Sequence, residues 1–217
     1  MYTKAISYSG KSLYRKCPKA FKSAYIDGVR DDSPKPAAER GTMIHDLLEK
    51  FFKGEVSYPD HVALKPWRRF MEQLTLKQPK PEGELAVDIN WKPVAFDSPD
   101  AFFRGKYDLS FTERGVVDLL DWKTGKIYPE HEHQGECYVA LTDEAIGYNV
   151  SMVYIDKYDE VHRYFHNARD RLKLIDNIHK EITGIRNDEE FKATPSDNSC
   201  KWCVLSWRNG GTCTDAR

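Results

Sequence analysis

Two acids and a lysine in the middle of this sequence have the types and spacing to break a phosphate ester. Asp121 and Lys123 stand two residues apart in GVVDLLDWKTGK, and Asp108 stands in the segment before it, FRGKYDLSF. If both segments are strands, Asp121 and Lys123 point to one face, and Asp108 on an antiparallel neighbour reaches the same place. Two half-buried carboxylates repel each other unless a cation joins them, and paired carboxylates are a minimal set of hard oxygen ligands for Mg²⁺ or Mn²⁺. Lys123 would then position or deprotonate an attacking water, or balance charge on a phosphate, as in metal-assisted hydrolysis. Without further partners, Asp-x-Lys is no more than a strand-end salt bridge. Asp118, three residues before Asp121, should face the other way.

Two other spacings fall around this core. Upstream, Gly41-x-x-x-His45 puts an imidazole on an otherwise apolar helix; downstream, Gln134-x-x-x-Tyr138 puts two polar groups on one helix face. Singly, the first is a core histidine and the second a surface pair.

The elements that must position these residues follow from periodicity. Ser9 is expected to cap a helix running to about Ile26 with Leu13, Cys17, Ala20 and Ala24 on its apolar side, and residues 31–36 form a charged, proline-bearing loop. A second helix over Ala37–Phe52 buries Met43, Ile44, Leu47, Leu48, Phe51 and Phe52, and a third covers Lys65–Leu76. Strands are expected at Glu84–Val94, Ala101–Phe111 and Gly115–Trp122 as an antiparallel meander. A helix over Glu130–Ala145, a strand pair at Asn149–Tyr154 and Glu160–Phe165, and a helix over Ala168–Arg186 complete the order. The class is α/β with a central mixed sheet flanked by helices.

In this order the segments resemble one family. SYSGKSLYRKCPKAF, RGTMIHDLLE, FRGKYDLSF, LLDWKTGK and QGECY together are similar to the RecB-like branch of the PD-(D/E)xK nucleases, which includes Cas4-like and phage exonucleases. Asp-x-Lys-Thr-Gly followed by Gln-x-x-x-Tyr is the most specific part. The resemblance implies a restriction-endonuclease-like core over residues 1–194. It implies metal ligation by His45, Asp108, Asp121 and the Trp122 backbone carbonyl, with Lys123 as the catalytic lysine. Gln134 and Tyr138 would bind the DNA backbone or support the site, and Glu84 is a further candidate acid. The implied activity is an Mg²⁺- or Mn²⁺-dependent DNA exonuclease acting in replication, recombination, repair or phage DNA processing. Its partners would be DNA, single-stranded or with free ends, and recombination or replication proteins. A catalytically silent nucleic-acid clamp of the same fold is the alternative.

The same resemblance gives the cysteines a use. Residues 195–217 hold Cys200, Cys203 and Cys213 without periodicity, and Cys17 lies in the Cys-Pro step near the N-terminus. Four thiolates suit a [4Fe–4S] cluster or zinc, and family members close the nuclease domain with such a cluster. The nine residues between Cys203 and Cys213 are more than the family's usual gap, so zinc, a disulfide and free thiols stay open. Cys137 is expected to be a buried structural thiol.

Composition narrows the rest. With 33 basic and 34 acidic side chains among 217 residues the formal charge is −1, which excludes a polycation coating nucleic acid indiscriminately. Any nucleic-acid binding needs a local patch. One is offered between Met1 and Ile26, where Lys4, Lys11, Arg15, Lys16, Lys19 and Lys22 occur with no acid and with interleaved aromatics. Lys11, Arg15 and Lys19 are its candidate phosphate contacts. No apolar run approaches a membrane span, Met1–Gly10 lacks a signal-peptide core, and the odd number of cysteines argues against a disulfide framework. A cytoplasmic protein is expected.

Overall fold

Ser7, not Ser9, opens the first helix. Its hydroxyl accepts from the Gly10 N–H at 3.3 Å and caps α1 (Tyr8–Lys16) in the computed structural model, which describes residues 2–29, 35–157 and 160–216. The single helix expected to reach Ile26 is broken at Pro18, whose ring holds Cys17 in an extended conformation. A one-turn α2 (Pro18–Phe21) and a π-helical turn (Lys22–Ile26) follow. The expected loop over residues 31–36 lies largely outside the described residues.

α3 (Pro36–Phe52) starts on a proline at its first turn, where the missing N–H costs nothing, and buries Ile44, Leu48 and Phe51. Met43, counted in that stripe, is exposed. A 3₁₀ turn (Lys65–Trp67) leads into α4 (Arg68–Thr75). The next strand, β2 (Lys80–Val87), begins earlier and ends earlier than expected. Pro81 is tolerated because, among the named strands, β2 pairs with β3 alone, so its other edge has no ladder at that position. The strand stops where Asp88 Oδ1 accepts from the Asn90 and Lys92 N–H groups and turns the chain.

β3 (Phe103–Glu113), β4 (Val116–Lys123), β5 (Gly147–Tyr154) and β6 (Val161–Asn167) form the body of the sheet. β1 (Ile6–Ser7), parallel to the start of β3, was not foreseen, being only two residues long. The sheet order is β1-β3-β4-β5-β6 with β2 also on β3. β2, β3 and β4 are antiparallel neighbours, whereas β4 and β5 are parallel and joined by α5 (Glu130–Leu141). The mixed α/β class is therefore as expected. α6 (Ala168–Asn187) begins with an Asn167–Asp170 capping box.

Helices cover both faces of the sheet. Ile44, Leu48, Trp67 and Met71 pack on Leu109, Leu120 and Trp122 on one side, and α5 packs Tyr138 and Val139 with Leu119, Tyr148 and Val150 on the other. A third cluster joins Phe21 to Phe102, Phe103, Ile182 and Phe191, seating the first helices against α6. The C-terminal segment has only local order: α7 (Asp197–Lys201), a Ser206–Cys213 bridge and a 3₁₀ turn (Trp207–Asn209). Thr194 Oγ1 donates to the Lys16 carbonyl and Lys19 pairs with Asp215, so both ends of this segment touch the first helices.

Candidate active site

The site forms where two strands part. The β3–β4 ladder runs from Glu113–Val116 to Leu109–Leu120 and stops there, while β4 continues to Lys123 against β5. Beyond the last rung, Asp108 Oδ2 accepts the Trp122 N–H at 2.6 Å, so a carboxylate takes the place of a backbone partner. A residue's N–H and C=O point to the same side of its strand, so the Trp122 carbonyl also faces this gap. Asp108 would have opposed Asp121 in register, which sets the two acids on one face.

Each flanking helix delivers one partner. From α3, His45 Nδ1 lies 3.1 Å from Asp108 Oδ1. From α5, the Tyr138 hydroxyl donates to Asp121 Oδ1 at 2.5 Å and Gln134 Nε2 donates to the same oxygen at 3.0 Å. Lys123 Nζ donates to Gln134 Oε1 at 2.6 Å and sits 2.5 Å from Asp121 Oδ2. Gly41 lets α3 approach the end of β4, since a Cβ there would stand 3.1 Å from Thr124 Oγ1. Beyond it, Asp156 accepts the Gly125 N–H at 2.7 Å and holds Arg40 through both carboxylate oxygens. Gly125 has φ +92, a conformation that suits glycine.

Burial sets the electrostatics. Asp121 is only 4% exposed. Burial, then the neighbouring Asp121 charge, pushes the Asp108 carboxyl above the usual range. Burial works against charging His45, but the hydrogen bond and charge of Asp108, and then Asp121, outweigh it and raise the imidazole. Burial and the Asp121 carboxylate hold the Tyr138 phenol well above its ordinary value, so it remains a donor.

Asp108, Asp121, His45, Lys123, Gln134, Tyr138 and Trp122 are thus brought together, and the hydroxyl of the buried Tyr138 is engaged with Asp121. The donor chemistry of two carboxylates and a carbonyl suits a hard divalent cation. Among the described residues no three His, Cys, Asp or Glu side chains stand close enough to hold an ion, the acids being engaged with His45, Tyr138, Gln134 and Lys123. Asp118 lies elsewhere, accepting from Asn149 Nδ2 at 3.0 Å.

Glu84 is not at the site; it sits opposite Lys106 and pairs with it at 2.5 Å near the surface. Glu82 occupies the position that sequence reasoning missed. It falls in a break of the β2 register opposite Asp108, with φ +52, beside a Gly83 whose Cβ would enter the Tyr107 ring. Burial, then Asp108 and Glu49, pushes its carboxyl up to about 7. A carboxyl raised in the fold loses stability as pH climbs from the unfolded value of about 4.3 through 7. Glu82→Gln in EDTA is therefore expected to melt above the wild type at pH 8, with the two converging near pH 4; parallel melting curves across that range would refute this.

Three basic residues also differ from expectation. Lys11 is 4% exposed and paired with Glu181 at 2.8 Å, so it is withdrawn from any phosphate. Arg15 forks onto the same carboxylate and Lys19 is spent on Asp215 at 2.9 Å. Cys137 is buried as expected, and burial lifts its thiol to about 11. Cys17, Cys200, Cys203 and Cys213 all line one cavity and form no disulfide, but they do not stand at metal-ligand spacing.

Comparison with known proteins bears on the family and the fold. The model of the PD-(D/E)XK nuclease superfamily matches residues 5–208. The crystal structure of SSO0001 superposes with a TM-score of 0.53 at 17% identity, covering 94% of this chain and 85% of that one. A "Putative exonuclease" from Eubacterium rectale gives 0.57 at 12% identity, covering 95% and 88%. No curated protein is similar enough to match.

Proposed function

The chain belongs to the PD-(D/E)XK nuclease superfamily, and from that premise we propose that it hydrolyses phosphodiester bonds in DNA with a divalent cation, working inward from an end. The observation that carries this reading is the convergence of Asp108 and Asp121 at the parting of β3 and β4, with Lys123 beside them. When bound, Mg²⁺ or Mn²⁺ would polarise the scissile phosphate and acidify a water. His45, Asp108, Asp121 and the Trp122 carbonyl are the groups that would hold it.

The chain's own part is orientation and charge. Tyr138 and Gln134 fix Asp121 through Oδ1, leaving Oδ2 turned to Lys123. Gln134 Oε1 fixes the Lys123 ammonium, so the lysine is aimed where a phosphate oxygen or an attacking water would stand. Fixed dipoles of this kind need no reorganisation when charge develops.

End-labelled single- and double-stranded DNA with Mg²⁺ or Mn²⁺ tests the reading, wild type against Lys123→Ala. Stepwise shortening by the wild type and its loss in the variant are expected, and EDTA should abolish it. A wild type that binds and never cuts is instead the silent clamp. We place the chain in the cytoplasm with the recombination or replication machinery as its partners. The four cysteines are proposed to hold a [4Fe–4S] cluster that ties residues 195–217 to Cys17, with zinc as the alternative. A brown, iron-bearing protein is expected on anaerobic purification; a colourless one with neither iron nor zinc would overturn that assignment.

A further inference from the structure

We propose that His131 is a further substrate-binding residue of the site, its Nε2–H donating to a phosphate next to the scissile one. The proposal rests on the nuclease reading above and adds a contact on the side of Lys123 away from Asp108.

The placement follows from the sheet. Tyr154 stands opposite Lys123 in the parallel β4–β5 register, and residues paired in this way show their side chains on one face. β3, which carries Asp108, lies on the other side of β4. The Tyr154 hydroxyl lies 2.9 Å from His131 Nδ1, so the imidazole is held on the β5 side of Lys123. Along α5, His131 comes one turn before Gln134, whose Oε1 accepts from Lys123 at 2.6 Å, and residues three apart share a face. One turn is about 5 Å of helix axis, so successive phosphates of one strand can meet Lys123 and His131 together. The charges of the site reach the ring. Burial and then Lys123 hold the imidazole below its ordinary value, against the pull of Asp121 and Glu130.

The hydrogen bond fixes which nitrogen is free. Tyr154 is 1% exposed, and burial lifts its phenol to about 12, so the hydroxyl keeps its proton. Among the described residues only His131 Nδ1 is there to accept that proton, so the neutral ring carries its own hydrogen on Nε2. Nε2 makes no hydrogen bond with a described residue. The ring plane is held as well. It stacks on Tyr154 with centroids 5.6 Å apart, and Tyr128 meets it edge-on at 5.6 Å. A half-buried histidine in the first turn of a helix needs none of this to fold, whereas a donor that must meet an anion without reorganising does.

The test is steady-state cleavage of an end-labelled single strand in Mg²⁺ by the full chain, with thermal melts to confirm folding. His131→Ala should raise KM about tenfold, the loss of one hydrogen bond to a charged oxygen. It should leave kcat within about threefold, since such a contact binds ground and transition states alike. His131→Gln, whose amide N–H can stand where Nε2–H stood, should recover most of the loss. Tyr154→Phe should show a smaller rise, because the ring is then free to move its hydrogen to Nδ1. A neutral methylphosphonate, placed in turn at each linkage flanking the first cut, should weaken binding by the wild type at one linkage and not weaken His131→Ala there. An unchanged KM in His131→Ala, equal damage in His131→Ala and His131→Gln, or a methylphosphonate penalty that persists in His131→Ala at both linkages overturns the contact. If the wild type cuts no DNA, the nuclease reading fails, and anisotropy of a fluorescein-labelled strand decides the contact with the same variants. Weaker binding by His131→Ala that His131→Gln restores then upholds it, and unchanged affinity overturns it.

Discussion

Asp121→Asn is expected to lower cleavage on the order of 10⁴-fold, the scale of losing one member of a catalytic set, with the melting temperature shifted by only a few degrees. The substitution keeps an oxygen for the Tyr138 hydroxyl and the Gln134 amide, which donate to Oδ1 at 2.5 and 3.0 Å. It removes the negative charge that faces Lys123 and that would hold a cation. Removing that charge also relieves Asp108, whose carboxyl is raised by burial and then by Asp121. The loss should therefore fall on turnover and not on folding. Initial rates on a 5′- and a 3′-labelled strand, alongside a thermal melt, decide the point. Activity within tenfold of the wild type would remove Asp121 from the chemistry.

The largest stability effect is expected far from that site. Glu181→Ala should cost about 3–5 kcal/mol, because it leaves Lys11 as a buried charge without its partner. Lys11 is 4% exposed and 2.8 Å from Glu181, and it also donates to the weak acceptor Cys137 Sγ at 3.8 Å. Lys11→Met is expected to be close to neutral, since a similar apolar stem remains and Arg15 still pairs with Glu181. The pH dependence has a definite sign. Burial alone would raise the Glu181 carboxyl, but hydrogen bonds from Arg15 and Lys11, and their charges, bring it below the usual value. Its contribution is thus complete above the unfolded value of about 4.3 and is lost as pH falls through the lower folded one. Urea melts of the three proteins at pH 7 and pH 3 should show the Glu181→Ala penalty shrinking in acid. A Lys11→Met protein as unstable as Glu181→Ala would show that packing, not charge, sets the cost.

Much of the site was legible because spacing carries over into faces. Asp-x-Lys on a strand and Gln-x-x-x-Tyr on a helix each fix a direction without knowledge of the whole fold, and both pairs converge in the structure. Asp118 was separable from Asp121 by the same parity. Failures came where a long-range partner or a local break intervenes. Six basic residues without an acid look like a solvated face, and nothing near them in sequence announces that Glu181 will neutralise two of them. Glu84 lies in a clean alternating stretch and Glu82 beside a proline and a glycine, yet the irregular backbone is what aims Glu82 at Asp108. Pro18 gave warning of the broken first helix, and the periodicity of the apolar positions across it concealed the break.

Asp108 would tie the proposed catalysis to folding in one side chain. One of its oxygens meets His45, and the other completes the hydrogen bonding of a strand whose neighbour has turned away. Alanine there would remove a reagent and also strand the Trp122 N–H, at a cost of about 1–3 kcal/mol. Asparagine with its oxygen on the Trp122 N–H would turn its amide to His45, which accepts it only as the neutral imidazole, so the geometry survives and the charge pairing is lost. Position 108 is therefore doubly constrained. Loss of activity by substitution at Asp121 leaves the architecture whole, whereas alanine at Asp108 begins to unfasten the sheet, so an inactive descendant of this chain has an easier route through Asp121 than through Asp108.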